Sequence, residues 1–533
     1  MSLNSPSDPF VIQNYGIVAN PAGGMTYVLN FLGGILSSDL TFSRASNATL
    51  FNSAGNLVWA PANLVYPSLL DSGVKWTGAA AAVSVNSTTA PNGTLTAALL
   101  SDTVASSGHT ISETVNTITY VLGQNYTFSA YFKAGTATIV QLTGGGTSFG
   151  TSQYANFDLA GGVLGTYGGN STGILPTITS VGNGWYRCSF TIPVTSGGAS
   201  NAFVIALTNN NSSALRAPSY VGSGKGVYVW GAQTEINSSN SPQAYNPTTT
   251  AAYYGARFDY DPSTSPATLR GLLLEEARTN VFLNSQVPVT QGITVTAQAY
   301  TLSFYGTGSI ALTGVYTGNL AGTGANNLVQ LTFTPTAGSL TCTVSGSITN
   351  VQLEAGSFAT SRIVTIGSAA TRSAESLYIS NISNWFNATQ GTLFSTAMME
   401  GLDATVAYNT VHQIDDGTVN NGIQNYISSA GASAADITVA SSDFASSAGG
   451  SPTAGTTFKI ALSYAAAANL SAYNGSSLGA GTFGASAIPT LATPRLDLGN
   501  RADGSRPFNG WLRSFAYANV AKAAVQLQTL TTL

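Results

Sequence analysis

Ionisable side chains are scarce in this 533-residue chain, which has 17 basic and 21 acidic residues. Seven of them fall within residues 256–280, ARFDYDPSTSPATLRGLLLEEARTN: Arg257, Asp259, Asp261, Arg270, Glu275, Glu276 and Arg278. Such a set supports two kinds of chemistry. Asp259, Asp261 and the two glutamates could ligate a hard cation or work as acid and base. Alternatively, the charges neutralise one another as a polar clasp that joins two domains, because charges drawn into an interface are usually paired there. The clasp is the reading carried forward. Asp261 and Pro262 mark a turn, since proline fixes φ and aspartate caps its own backbone. Residues 271–274, GLLL, read as a short buried strand. Glu275 and Glu276 are adjacent, so in a strand they would point to opposite faces.

The remaining catalytic vocabulary is thin. The chain has two histidines. His109 follows Ser-Ser-Gly, as on a loop, and His412 alternates with Val411 and Gln413, as in a strand. Neither lies in a triad motif, and both are expected to be solvated or satisfied within a core. The glycine clusters at 144–146 and 168–169 lack the Lys/Ser continuation of a phosphate loop. Cys188 and Cys342 lack zinc spacing and read as buried free thiols. No catalytic residue is assigned, and the chain is expected not to be an enzyme.

Composition narrows the class further. Charged residues make up 7%, against about 25% in an ordinary globular protein. Hydrophobic residues make up 44%, enough for packed cores rather than disorder. Abundant Gly, Thr, Tyr and Phe favour strands and turns over helices. A net charge of −4 with no Lys/Arg cluster speaks against a nucleic-acid partner. No basic residue precedes Arg44, so a secretory signal is not expected. The apolar run at 25–36 is 12 residues long and broken by Asn30 and two glycines, too short to span a membrane.

The expected fold is all-β: tandem jelly-roll or β-sandwich domains with a short C-terminal helix. An extended arm (1–36) leads to a split clasp segment (37–62 plus 251–283). Between the two halves sits a β-sandwich, 63–250, marked by YTFSAYF at 126–132, the turn and strand GNGWYRCSFTI at 182–192, and a strand ending at Glu235. Residues 284–372 read as a shortened second copy. Tyr300 begins YTLSFY as Tyr126 begins YTFSAY, and Gln352-Leu-Glu354 matches Gln233-Thr-Glu235. These landmarks lie 107 residues apart in the first copy (126 to 233) and 52 in the second (300 to 352). Residues 373–533 form the last domain, with an Asn-Gly hairpin at 473–476 and helical spacing over 521–530. In the first sandwich, Tyr154, Tyr167 and Tyr220, with Asn170 nearby, could form a glycan-binding face, because sugar C–H groups stack on aromatic faces while amides bind hydroxyls. Trp185 and Trp230 read instead as sheet core.

RFDYDP with RGLLLEEARTN, preceded far upstream by LTFSRAS at 40–46, resembles a signature of tailed-bacteriophage virion proteins. In those proteins the two segments lie close together and precede a carbohydrate-binding-module-like or laminin-G/concanavalin-like β-domain. Here about 210 residues separate them, as if a whole domain had been inserted. The 63–250 segment resembles jelly-roll carbohydrate-binding modules. The series LDLGN, FNGWLRSFAY and a terminal helix resembles the laminin-G/concanavalin-like sandwich. That resemblance implies a rim that could hold Ca2+, with Asp415, Asp416, Asp497 and Asp503 as oxygen ligands. The three-carboxylate ExDxxE run of concanavalin-like glycosidases is missing. The resemblance implies a fibre, spike or capsid-decorating subunit on the virion surface. It would be homo-oligomeric, in contact with other virion proteins, and would attach to host surface polysaccharide. Purely architectural decoration without sugar binding, and a polysaccharide depolymerase, stand as alternatives.

Overall fold

The computed structural model describes residues 16–17, 24–71, 75–113, 118–168, 176–200, 203–237, 239, 241–447, 449–466, 469–477 and 488–533. Most of the expected N-terminal arm, and Asn170, lie outside the described residues. What is described is almost entirely antiparallel β-structure. It includes a short helix at Gly146–Phe149 and a closing helix at Ala524–Thr531, in the region where helical spacing is seen. Among the described residues no helix is long and apolar enough to cross a membrane. The turn chemistry is realised locally. Asn474 and Gly475 both take positive φ (44° and 78°) between Leu470–Tyr473 and Ser476–Ser477, as a two-residue hairpin requires.

The chain forms two compact units, Trp59–Gly255 and the remainder on either side of it. Trp59–Gly255 is a sandwich. One sheet runs Val163–Gly168, Tyr154–Asp158, Ile139–Thr143, Val204–Leu207, Ser106–Glu113, Ser219–Val221, with Trp76–Ala79 also paired to Ser106–Glu113. The other runs Thr177–Gly182, Trp185–Pro193, Asn125–Lys133, Gly226–Ile236, Ala97–Asp102, Ala81–Thr88. Phe128, Phe132, Phe190, Ile205 and Val229 fill the space between them.

The other unit holds two more sandwiches. The smaller pairs the four strands Gln291–Val295, Gly338–Ser345, Ser309–Gly314 and Gly318–Ala321 with the three strands Gly324–Phe333, Tyr300–Gly306 and Ile348–Ala355. The larger packs a nine-stranded sheet on a seven-stranded one. It recruits strands from distant sequence: Tyr27–Asn30 and Thr268–Leu274 both pair with Gly510–Ala518, and Thr41–Ser43 pairs with Ser376–Ile379. Leu29, Leu272 and Leu274 thereby enter the same core as Leu393, Ile414 and Phe515.

Asn63 and Asn280 anchor equivalent locks in the two units. Asn63 Nδ2 donates to the carbonyls of Ala232 (3.0 Å) and Asn246 (2.8 Å), and its Oδ1 accepts from Val65 N–H. Asn280 Nδ2 donates to Val351 and Ile363 (both 2.9 Å), and its Oδ1 accepts from Phe282 N–H. Gln233 donates to Glu235 at 3.0 Å and accepts from Asn246 N–H; Gln352 donates to Glu354 at 2.6 Å and accepts from Ile363 N–H. Thr248 and Thr365 then close on the carbonyls of Val65 and Phe282. Each side chain here satisfies backbone groups that burial would otherwise leave unpaired.

Candidate functional site

The charged stretch folds as a two-stranded ribbon. Arg257–Asp261 runs antiparallel to Thr268–Leu274, with Arg257 opposite Leu273 and Asp259 opposite Gly271. A bulge follows at Asp259/Tyr260. Gly271 has φ +138°, and a Cβ there would sit 2.4 Å from the Leu512 carbonyl, so the crossing with Gly510–Ala518 requires glycine. The turn at Asp261 forms, with Ser263 donating to its carboxylate through both N–H and hydroxyl.

The strand ends at Leu274, and Glu275 and Glu276 diverge beyond it. Glu275 enters a buried ion network. Arg257 Nη2 lies 2.5 Å from Glu275 and 2.6 Å from Glu375. Glu375 also takes Arg44 at 2.6 Å, and Glu275 takes Arg372 at 3.1 Å. Ser361 donates to Glu275 through N–H and hydroxyl. Burial alone would raise both carboxyls, yet the facing guanidiniums hold Glu275 and Glu375 below the usual carboxylate range. Glu400, which also meets Glu275, is pushed well upward by burial and by the Glu275 charge. Glu276 pairs with Arg278, whose guanidinium stacks on Phe358. Sequence reasoning missed Glu375, Arg372 and Glu400. Their signal was scarcity: in so charge-poor a chain, an arginine and a glutamate three residues apart at 372–375 were candidates for the same network.

Asp259 points elsewhere, into a cavity of about 240 Å3. Its oxygens accept from Phe51 N–H (2.7 Å) and Trp511 Nε1–H (3.0 Å). Arg270 lies over the Trp511 ring at 4.8 Å and pairs with Asp261 at 3.1 Å. Burial raises the Asp259 carboxyl to about 6 against these favourable contacts.

The four aspartates expected to hold Ca2+ are not brought together. Asp415 and Asp497 meet on neighbouring strands, Tyr408–Asp415 and Arg495–Leu498, where Arg495 grips Asp497 at 2.7 and 2.6 Å. Asp416 and Asp503 are each occupied in separate exposed turns, binding Thr418 and Ser505. Among the described residues no group of three or more His, Cys, Asp and Glu is placed to hold a metal. Burial and the Asp497 charge push the Asp415 carboxyl up to about 8. The folded state therefore keeps a proton that the unfolded chain releases near pH 4, and this contribution to stability is lost as pH rises through 8. His412 has the opposite sign: burial lowers it to about 3, so its contribution is lost as pH falls below about 6.5. Between pH 7 and 8.5 the His412 contribution is constant. Over that window the wild-type melting temperature should fall more than that of Asp415→Asn, whose amide can replace the shared proton. Equal slopes in the two proteins would refute this assignment.

His109 lies within the strand Ser106–Glu113 rather than on a loop, paired with Leu207 in the ladder, and its ring sits between the carbonyls of Ala80 (2.6 Å) and Tyr220 (3.1 Å). His412 sits between Ser395 Oγ (2.7 Å) and Asn425 Oδ1 (2.8 Å). All three are fully buried, so this serine–histidine contact has no access to substrate. Cys188 and Cys342 are free and buried.

The tyrosines of the first sandwich do not converge either. Tyr154 is 5% exposed, whereas Tyr167 is 39% exposed on the neighbouring edge strand. Tyr220 stands on the opposite edge, five strand spacings and thus about 24 Å away, with its hydroxyl on Asp102. Of these three, Tyr167 presents an open ring. Trp185 and Trp230 are buried together.

No family model matches the chain, and no curated protein matches it. Among solved structures, a carbohydrate-binding module (CBM40) of a Ruminococcus gnavus IT-sialidase bound to α2,3-sialyllactose is similar over 28% of this chain and 84% of that one, with 15% identity and a TM-score of 0.25. Mouse laminin α1 domains LG4-5 are similar over 96% and 92%, with 8% identity and a TM-score of 0.20. A heptameric SAP-like pentraxin from Limulus polyphemus is similar over 26% and 69%, with 14% identity and a TM-score of 0.22. No residue of this chain takes a role from these likenesses.

Proposed function

We propose that this chain is a non-enzymatic structural protein of a tailed-phage virion, a fibre, spike or decoration subunit that presents glycan-binding β-sandwiches to the host surface. One observation carries the reading. Arg44 of the TFSRAS half, Arg257 of the RFDYDP half and the N–H of Glu275 all converge on the Glu375 carboxylate. Segments about 210 residues apart thus close as one buried unit, which supports treating them as the signature that virion proteins carry in contiguous form. Attachment would be multivalent: many weak sites on one particle raise avidity by roughly 10²–10⁴. Its partners would be other virion proteins, further copies of itself, and host polysaccharide.

Two measurements test this. Gold-labelled antibody to the last domain should decorate purified particles in electron micrographs, and the full-length protein should bind bacterial surface glycans on an array without releasing reducing ends. Particles that bear no label would overturn the virion role. Labelled particles with a blank array would leave architectural decoration as the function.

A further inference from the structure

The cavity beside the clasp has the make-up of a ligand site rather than of a packing defect. We infer that it is a binding pocket for a single neutral, hydroxyl-rich ring, a monosaccharide unit. This rests on the glycan-binding reading above and assigns it a place.

The floor is polar and carries both signs of charge. Asp259, Ser361 and Glu400 line it, together with Arg270. Arg270 Nη1 is 3.9 Å from Asp259 Oδ2, too long for a direct hydrogen bond and suited to a hydroxyl bridging the two. Each Asp259 oxygen has one protein donor, while an ionised carboxylate offers about four acceptor positions. Glu400 lines the same floor, with its carboxyl against that of Glu275. The walls are apolar and open outward: Leu50, Phe51 and Leu57 are half-buried, and Leu328 is 43% exposed.

This lining excludes other occupants. An anion would face Asp259. A cation would face Arg270, and Arg362 also lines the cavity. An apolar group would cover the carboxyls without offering them hydrogen bonds, leaving them desolvated and unsatisfied. A ring with hydroxyls on its edges and C–H groups on its faces satisfies both floor and walls. About 240 Å3 lies just below the range of about 300–1,000 Å3 for small-molecule sites, so one ring fits and a chain must extend past Leu328. The competing occupant is water, about eight molecules at about 30 Å3 each.

The test uses the full-length protein and four probes: glucose, galactose, mannose and N-acetylglucosamine, followed by ligand-observed saturation-transfer NMR and titration. At least one should bind with a Kd in the millimolar range. Ala454→Trp plugs the exposed rim and Leu328→Ala removes a wall. Both positions are exposed, and unchanged melting temperatures would verify folding. Each variant should weaken binding at least tenfold, whereas Val104→Ala, at an exposed position of the first sandwich, should leave it unchanged. Undiminished binding in both rim variants would overturn the pocket while leaving glycan attachment standing. So would a wild-type protein that binds array oligosaccharides but none of the four sugars. If neither sugars nor array glycans bind, both readings fall and the cavity is a hydrated one.

Discussion

Replacing Glu375 with alanine should destabilise the protein by roughly 3–5 kcal/mol, or prevent soluble expression. Glu375 is the hub of the clasp, accepting from both Arg44 and Arg257 and from the backbone of Glu275. All of these groups are buried. Removing the carboxylate leaves two guanidiniums without their shared counter-charge, and it is the unpaired charge, more than the lost attraction, that sets the magnitude. A domain whose stability is about 5–15 kcal/mol loses a large fraction of it. Denaturant unfolding gives the value. Arg44→Ala combined with Glu375→Ala should lose less than the sum of the single variants, because the contact between the two is lost in both single variants and counted twice in their sum. A Glu375→Ala loss below about 1 kcal/mol would mean that water reaches the network.

The second large effect belongs to the paired locks. Asn280→Ala removes donors to Val351 and Ile363 and the acceptor for Phe282 and Leu353. Asn63→Ala removes the same four contacts in the first sandwich, to Ala232, Asn246, Val65 and Thr234. At about 1 kcal/mol per hydrogen bond, and more where a buried group is left unsatisfied, each variant should lose about 3–4 kcal/mol. Chemical denaturation of the two variants checks both the size and the match. Matched losses are expected of equivalent hydrogen-bond geometry at the two asparagines. A loss in one variant and none in the other would show that the shared geometry does different work in the two sandwiches.

Much of the architecture was legible in the sequence, for local reasons. Scarce charge with abundant Gly, Thr and Tyr dictates strands and turns, and the structure is almost wholly β. Asn474-Gly475 specifies its hairpin because positive φ is cheap at those residues. The Gln-x-Glu landmarks were visible as letters, although Asn63 and Asn280, which complete the locks, lie about 70 residues or more before them. The burial of Trp185 and Trp230 follows from their place in β-runs.

The candidate sites were not legible to the same degree, because a site is a matter of which remote segments meet. The aspartates expected around calcium share a domain in sequence, yet two face each other across strands while two cap separate turns. Tyr154 and Tyr167 sit on adjacent strands, but one is covered and the other open, since that depends on what packs over each side chain.

By itself, then, the sequence determined the all-β class, the turn positions and the concentration of charge at 256–280, all properties of neighbouring residues. Only the tertiary structure decided that Arg44, Arg257, Glu275, Arg372 and Glu375 share one dry network. Only it placed two carboxyl groups, two arginines and three aromatic rings around one cavity. Ion pairs and pockets are set by contacts across hundreds of residues, and no local pattern encodes which partners the folded sheets will bring together.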